Sequence, residues 1–307
     1  MNKDARALVA DAQQRAAGCG LELAGDIGFE ESGLDFRIGF ATDTGGRRWV
    51  LRIPRRQDVI PKIEREARIL DFVKARLPVQ VPDWQVCQPE LVAYPLLDDP
   101  MALELDGETG AVRWNIDRES PRYAASLGEV LATLHRSSVA DATAAGIPRS
   151  SPEEVRANML ADVERVAHGI GMAAELEARC RRWIDDDRLW PDFSALTHGD
   201  LYAGHVTAAP DGRVSGIIDW TEAKVGDPSV DFSGHLAVFS RESLAQLVAA
   251  YAAAGGRTWP GMLEHIEARH AASPIAYGAY ALETGSSEHL AGAKMQLGAG
   301  SVSAPTC

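Results

Sequence analysis

The residues best suited to chemistry are His198-Gly199-Asp200-Leu201-Tyr202-Ala203-Gly204-His205 and, further along, the apolar run Val214-Ser215-Gly216-Ile217-Ile218 that ends in Asp219-Trp220. Asp211-Gly212 between them is a strong turn signal, so the connection reads as a hairpin. Such a hairpin sets Asp200 and Asp219 side by side at one sheet end. One carboxylate can take a proton from a hydroxyl and the other can hold a metal. That pair is the minimum equipment for moving a phosphoryl group onto an alcohol. An isolated Asp200 would equally suit a loop cap, since aspartate favours turns.

The elements that must position these residues follow from periodicity and punctuation. Leu8, Val9, Ala12 and Ala16 predict a helix over 4–17, stopped by Gly18. Phe36 to Ala41 and Trp49 to Ile53 are apolar runs separated by the turn cluster Asp43-Thr44-Gly45-Gly46, and so predict paired strands. Residues 61–77 read as a helix opened by Pro61 and stopped before Pro78. Val86, Leu91, Val92 and Ala93 suggest another hairpin. The segment Tyr94-Pro95-Leu96-Leu97-Asp98-Asp99-Pro100 breaks the pattern and reads as an extended crossing between domains. Beyond it the chain is mostly helical: 122–137, a helix capped by Ser151-Pro152-Glu153-Glu154, 172–190, 241–254, and 260–284 with a kink at Pro274. Asp185-Asp186-Asp187 reads as a solvated acidic face. The tail from Gly298 is small and polar. The fold class is thus α+β: a small β-rich N-terminal lobe with one main helix, residues 1–97, and a larger helical lobe, residues 98–307, that contains the catalytic-looking hairpin. A cleft between two lobes is a natural ligand site.

Composition narrows the partners. The chain has 307 residues, 46% of them hydrophobic, enough for a large core or two lobes. Its formal net charge of −13 repels a nucleic-acid backbone and mildly favours cationic substrates. Cys19, Cys87, Cys180 and Cys307 are far apart, which fits neither a zinc site nor a disulfide scaffold and suits a reducing compartment. The polar start Met1-Asn2-Lys3-Asp4 lacks an apolar signal core, and no window approaches a membrane span. The expectation is a cytoplasmic, monomeric protein with no membrane or nucleic-acid partner. There is no Walker P-loop and no G-x-S-x-G elbow. The other histidines have no metal-ligand spacing.

His-Gly-Asp-Leu-Tyr, Ile-Ile-Asp-Trp and Gly226-Asp227-Pro228-Ser229-Val230-Asp231-Phe232 resemble the catalytic and metal loops of the aminoglycoside phosphotransferase family, which has the protein-kinase-like fold. Within that family the chain looks most similar to the macrolide 2′-phosphotransferases. The supporting segments are Glu31-Ser32-Gly33-Leu34-Asp35-Phe36, Trp49-Val50-Leu51-Arg52-Ile53-Pro54-Arg55-Arg56, Val92-Ala93-Tyr94-Pro95 and Gly204-His205-Val206. The resemblance implies an enzyme that phosphorylates the 2′-hydroxyl of a macrolide amino sugar, with GTP or ATP as donor and Mg²⁺ as cofactor.

It also implies roles. Asp200 is the candidate base and Asp219 the metal-binding carboxylate. His205 stands where the wider family has asparagine as second metal ligand. Imidazole suits softer metals than Mg²⁺, so His205 binds the ion directly, acts through a water, leaves one of two metals more loosely held, or only orders the loop. Arg52 stands in place of a phosphate-binding lysine, with Glu66 as its helix partner; Glu64 is the alternative partner. Ser32-Gly33 would cradle phosphates. Tyr94, Leu96 and Leu97 would meet the purine. Of Asp227 and Asp231, one would order the catalytic loop and the other face the substrate amine. Tyr202, Tyr277 and Tyr280 are candidate walls of an apolar acceptor pocket, although core packing explains such residues equally well. An aminoglycoside or other hydroxyl kinase, and a kinase-fold nucleotide-binding protein without turnover, are the competing readings.

Overall fold

The computed structural model of the chain describes residues 3–31, 35–106 and 109–299. Helix α1 (Lys3–Gly18) leads into β1 (Leu23–Glu30), β2 (Phe36–Asp43) and β3 (Arg48–Pro54), then α2 (Ile60–Lys74), β4 (Val86–Gln88) and β5 (Leu91–Pro95). The strands form one antiparallel sheet in the order β1-β2-β3-β5-β4. Alternation along β3 explains its two faces. Trp49, Leu51 and Ile53 pack with Val9, Ala12 and Ala16 of α1, whereas Val50 joins Phe36, Tyr94, Val59 and Ile63 on the other face. Ile218, next to Asp219, packs on that second cluster, so it faces the helical lobe. Arg52 shares the face of Val50. The turn at Asp43 is closed by its own carboxylate, which accepts the Gly45 and Arg47 amides and the Trp49 indole N–H.

The buried positions of α2 include Ile63, Glu66, Leu70 and Val73, a helical stripe in which Glu66 is the charged member. Glu64 is exposed. Burial therefore decides between the two glutamates.

Past the crossing come β6 (Leu103–Leu105), β7 (Val112–Trp114), α3 (Pro121–His135), α4 (Val139–Ala144), α5 (Pro152–Gly169), α6 (Ala174–Asp185) and β8 (Ala195–Thr197). Then follow β9 (Val206–Ala208), β10 (Val214–Ile217), β11 (Lys224–Gly226), α7 (Val230–Leu236), α8 (Arg241–Ala253), α9 (Met262–Ala271), α10 (Ser273–Thr284) and α11 (Ser287–Gln296). One core gathers α3, α7, α8 and the hairpin β9–β10; a second gathers α5, α6, α10 and α11. Two crossings clasp the hairpin. The Gln80 amide donates to Ser215 O at 2.8 Å and its carbonyl accepts from Ile217 at 2.9 Å, while the Ala102 amide reaches Val206 O at 2.7 Å.

The capping box on α5 forms as its sequence suggests, with Ser151 and Glu154 bonding each other's backbone amides. The stretch 260–284 is two helices, not one kinked helix. Pro274 stands in the first turn of α10, where its missing N–H costs nothing; inside a continuous helix it would clash with the preceding turn. Strand β1, helices α4, α7 and α11, and the three-residue strands β6, β7, β8 and β11 escape sequence reading. They are too short, or too mixed in polarity, to show a period. The tail past Ala299 lies outside the described residues. No helix among the described residues is long and apolar enough to cross a membrane.

Three histidines are buried in the helical lobe with lowered pKa values: His198, His265 and His235. His235 stacks 4.3 Å from the Phe239 ring, and its Nε2 lies 2.9 Å from Ser243 Oγ. Burial pushes it from 6.5 down to about 4. Below the ordinary value the unfolded chain binds more protons than the folded one, so stability is intact above about pH 6.5 and falls as pH drops towards 4. His235 alone accounts for roughly 3 kcal/mol by the lower limit. Scanning calorimetry between neutral and acid pH is expected to show Tm falling, with a shallower fall in His235→Gln. An equally steep fall in that variant would assign the acid sensitivity elsewhere.

Candidate active site

The loop after β8 carries Asp200 and has no strand partner for its first amides. A buried carboxylate supplies the acceptors. Asp231, in the first turn of α7, takes the His198 N–H on Oδ2 and the Gly199 N–H on Oδ1, both at 2.8 Å. His135 Nε2 lies 3.0 Å from the same Oδ2, and His135 Nδ1 lies 3.2 Å from Tyr251 Oη. Gly199 has φ +90°, and a Cβ there would stand 2.3 Å from Glu222 O. Both conditions demand glycine. Gly234 of α7 touches the loop from the other side: a Cβ on it would meet Leu201 O at 2.1 Å.

His198 pins the loop to the hairpin. Its Nε2–H donates to Ile218 O at 2.9 Å and its Nδ1 accepts the Asp200 N–H at 3.3 Å. Burial lowers its pKa and so favours this neutral form.

Asp219 follows directly. Its φ of 61° makes it the one non-glycine among the described residues with left-handed backbone, a conformation aspartate tolerates better than most. His205 stands between the two carboxylates. Its Nδ1–H donates to the Asp200 carbonyl at 2.7 Å, which leaves Nε2 as a lone pair 3.7 Å from Asp219 Oδ2. The Asp200 Oδ2 is 3.6 Å from His205 Nδ1. The Tyr202 ring packs edge-on against His205 at 4.5 Å.

The electrostatics separate the two acids. Partial desolvation in the cleft raises the Asp200 pKa; Asp219, Glu222 and Asp231 add to the rise, and His205 opposes it. Asp219 is also desolvated, but the Arg52 charge above all, with the Thr221 hydroxyl, outweighs that and lowers its pKa. A more basic Asp200 beside a firmly ionised Asp219 suits one carboxylate to proton handling and the other to a cation.

From the sheet, Arg52 Nη1 donates to Glu66 Oε1 at 2.7 Å. Its Nη2 is 3.9 Å from Asp219 Oδ1. The guanidinium lies 4.2 Å over the Phe36 ring and 5.6 Å from that of Trp84. Desolvation disfavours its charge, yet Glu66 and Asp219 more than offset this and raise its pKa. Tyr94 is buried on the same sheet face, and burial raises its pKa. Leu96 donates its N–H to Arg48 O at 2.9 Å. With Leu97, Pro95, Arg47, Arg48 and Asp98 it lines a pocket of about 290 Å³ at the crossing. Ser32 and Gly33 lie outside the described residues.

One expectation is corrected, that Asp227 or Asp231 meets the substrate amine; the ordering of the catalytic loop expected of one of them falls to Asp231. Neither Asp227 nor Asp231 faces a substrate. Asp231 is consumed by the loop amides and His135. Asp227, its side chain 4% exposed, accepts from His265 Nε2 at 2.7 Å and from Arg269. Tyr277 and Tyr280 set their rings against His289 of α11, so their partners lie in the α10–α11 layer rather than on the Asp200 loop. Three contributors escape sequence reasoning: His135, far upstream; Thr221, bonded to Asp219; and Glu222, an exposed carboxylate whose Cβ is 3.2 Å from the Cβ position of Gly199. Thr221 and Glu222 had a signal, their nearness to Asp219 in sequence; His135 had none.

No group of three or more histidine, cysteine or carboxylate side chains among the described residues could hold a metal ion unaided. Asp219 with the His205 lone pair provides two donors. The carboxylate fits Mg²⁺, which commonly takes one or two carboxylates and completes its shell with phosphate oxygens and water; the imidazole, a softer donor, suits contact through a metal-bound water.

A small antiparallel-sheet lobe joined to a helical lobe, with paired carboxylates at the junction, defines a kinase-like phosphotransferase acting on an alcohol. Residues 29–265 match the model of the phosphotransferase enzyme family (APH), and the chain belongs to that family. A solved macrolide 2′-phosphotransferase type I is 45% identical, with a TM-score of 0.90 over 95% of this chain and 97% of that one. The apoenzyme of macrolide 2′-phosphotransferase MphH from Brachybacterium faecium is 40% identical, with a TM-score of 0.88 over 98% of this chain and all of the other (100%). The uncharacterized protein YcbJ of Bacillus subtilis (strain 168) is 40% identical over 270 residues, 87% of this chain and 88% of that one.

Gly199→Ala tests the loop geometry. A methyl group 2.3 Å from Glu222 O forces the backbone to move. Phosphotransfer is expected to fall by at least ~100-fold, because small displacements of reacting groups carry penalties of that order. Steady-state rates and Tm measured together check it, and wild-type turnover would show that the loop tolerates the shift.

Proposed function

We propose that this protein transfers the γ-phosphate of GTP or ATP to the 2′-hydroxyl of the amino sugar of macrolide antibiotics and thereby confers resistance to them in the cytoplasm. The observation that carries the reading is the Asp200–His205–Asp219 cluster, within 3.7 Å from residue to residue, in a chain similar along nearly its whole length to two macrolide 2′-phosphotransferases.

In this reading Asp219, with His205 Nε2 directly or through a water, would hold Mg²⁺, which would supply positive charge against the nucleotide phosphates. Arg52, fixed by Glu66 and by the Phe36 and Trp84 rings, places permanent positive charge beside Asp219. The extended crossing at Leu96 and Leu97, packed with the apolar sheet face of Val50, Tyr94 and Ile218, would take the purine. Ser32 and Gly33 would complete the phosphate contacts. Asp200 accepts a hydrogen bond from the acceptor hydroxyl, turns its oxygen in line with the phosphoryl group, and takes the proton as the new O–P bond forms and the bond from the γ-phosphorus to the bridging oxygen breaks, releasing GDP or ADP.

A macrolide carries a dimethylammonium group beside the reacting hydroxyl. With Asp227 and Asp231 buried, Glu222 is the carboxylate placed to meet that cation, and Tyr202 is an apolar neighbour for the sugar. The transferred phosphate adds charge and bulk where the drug meets its target.

Purified protein incubated with Mg²⁺, GTP or ATP, and erythromycin is expected to yield drug heavier by one phosphoryl group in mass spectra. Asp200→Ala should abolish this, by ~1,000-fold or more, given the 10²–10⁴-fold contribution typical of general bases and the loss of orientation that accompanies it. Phosphorylation of an aminoglycoside in preference to erythromycin would overturn the acceptor assignment. Glu222→Gln is expected to raise the macrolide KM about five- to tenfold with kcat nearly unchanged, the scale of one partly exposed charge contact. An unchanged KM would remove Glu222 from the acceptor site.

A further inference from the structure

Glu66 is approached from three directions. Its Oε1 takes Arg52 Nη1 at 2.7 Å and the Trp220 N–H at 3.3 Å; its Oε2 faces the Thr221 hydroxyl at 2.8 Å. The same hydroxyl lies 3.0 Å from Asp219 Oδ1, and Arg52 Nη2 approaches it at 3.5 Å. A hydroxyl has one proton and can accept as well as donate. Thr221 Oγ1 can therefore receive from Arg52 and donate to one of two carboxylates at a time. Arg52 stops 3.9 Å short of Asp219 itself, so the hydroxyl fills the gap between the N-lobe ion pair and the metal-loop carboxylate.

This contact fixes an otherwise loose group. The Asp219 side chain is 42% exposed and stands on left-handed backbone. Its neighbour Trp220 is fully buried and bonds Ile217 O through its indole N–H at 3.1 Å, so the backbone is held. The carboxylate's rotation is a separate matter. With Oδ1 engaged by Thr221, Oδ2 is the oxygen left facing His205 Nε2.

We propose that Thr221 is a positioning residue: its hydroxyl ties the orientation of the Asp219 carboxylate to the Arg52–Glu66 pair, and so readies the site for a metal-bound nucleoside triphosphate. The assignment rests on the reading of Asp219 given above. It makes the nucleotide site a joint product of both lobes, because Glu66 comes from α2 and Thr221 from the loop after β10.

Thr221→Val is nearly isosteric and lacks the hydroxyl; Thr221→Ala lacks it without β-branched bulk; Thr221→Ser keeps it. GTP and ATP binding is measured by calorimetry on each full-length variant, in Mg²⁺ and in EDTA, beside apo-protein Tm and erythromycin binding. The Val and Ala variants are expected to bind the nucleotide about tenfold more weakly in Mg²⁺, the scale of one hydrogen bond to a charged group. In EDTA their affinities should stay within about twofold of wild type, erythromycin binding should be unchanged, and Ser should match wild type throughout. Equal affinity of the Val and Ala variants and wild type in Mg²⁺ would overturn the proposal. So would a Ser variant as weak as Ala, or an equal loss with and without metal. Wild-type protein that binds neither nucleotide would instead bring down the nucleotide reading, and this inference with it.

Discussion

The buried carboxylate of Asp231 is the interaction on which the site depends. A loop that leaves a strand abandons its ladder, and its amides need new acceptors. A carboxylate sealed in a core needs donors, because an unpaired buried charge costs several kcal/mol. Asp231 and the His198–Gly199 amides solve both problems at once. His135 from α3 and, behind it, Tyr251 from α8 join the same network, so the Asp200 loop is referenced to three helices of the large lobe.

Around that anchor the remaining geometry is short-range. His198 ties the loop to the end of β10, and His205 spans from the Asp200 carbonyl towards Asp219. Asp227, four residues before Asp231, is bound to His265, Arg269 and the Ser229 amide, which fixes the entry to α7. The two aspartates thus act on one segment, one securing its start and the other reaching the loop. The small lobe enters through Glu66, whose oxygens hold the Trp220 amide and the Thr221 hydroxyl. The cleft is therefore built from both sides, by groups that would be costly to bury without each other.

Much of this was legible in the chain. Periodicity and caps place most long helices, and alternation with turn residues places β2, β3 and the β9–β10 hairpin. The two-lobed α+β organisation follows from them. The close grouping of Asp200, His205 and Asp219 was legible because a hairpin brings its ends together wherever the rest of the chain lies. Elements of three to seven residues were not legible, since no period develops over that length. Nor was the break at Ala272, because a proline is compatible both with a kinked helix and with a new first turn.

The sequence by itself determined the local chemistry: which acids flank the hairpin, that Arg52 lies on a strand, and that a glutamate pair lies on the following helix. Tertiary structure alone decided which of those groups are free to act. Glu66 rather than Glu64 turns inward because it lies on the buried stripe of α2. Asp227 and Asp231 are withdrawn from the cleft because α9 and α3 bring His265 and His135 against them. Glu222 remains open beside Asp200 because Gly199 allows the two backbones to touch. Burial and pairing are set by segments distant in the chain, and local spacing carries no record of them.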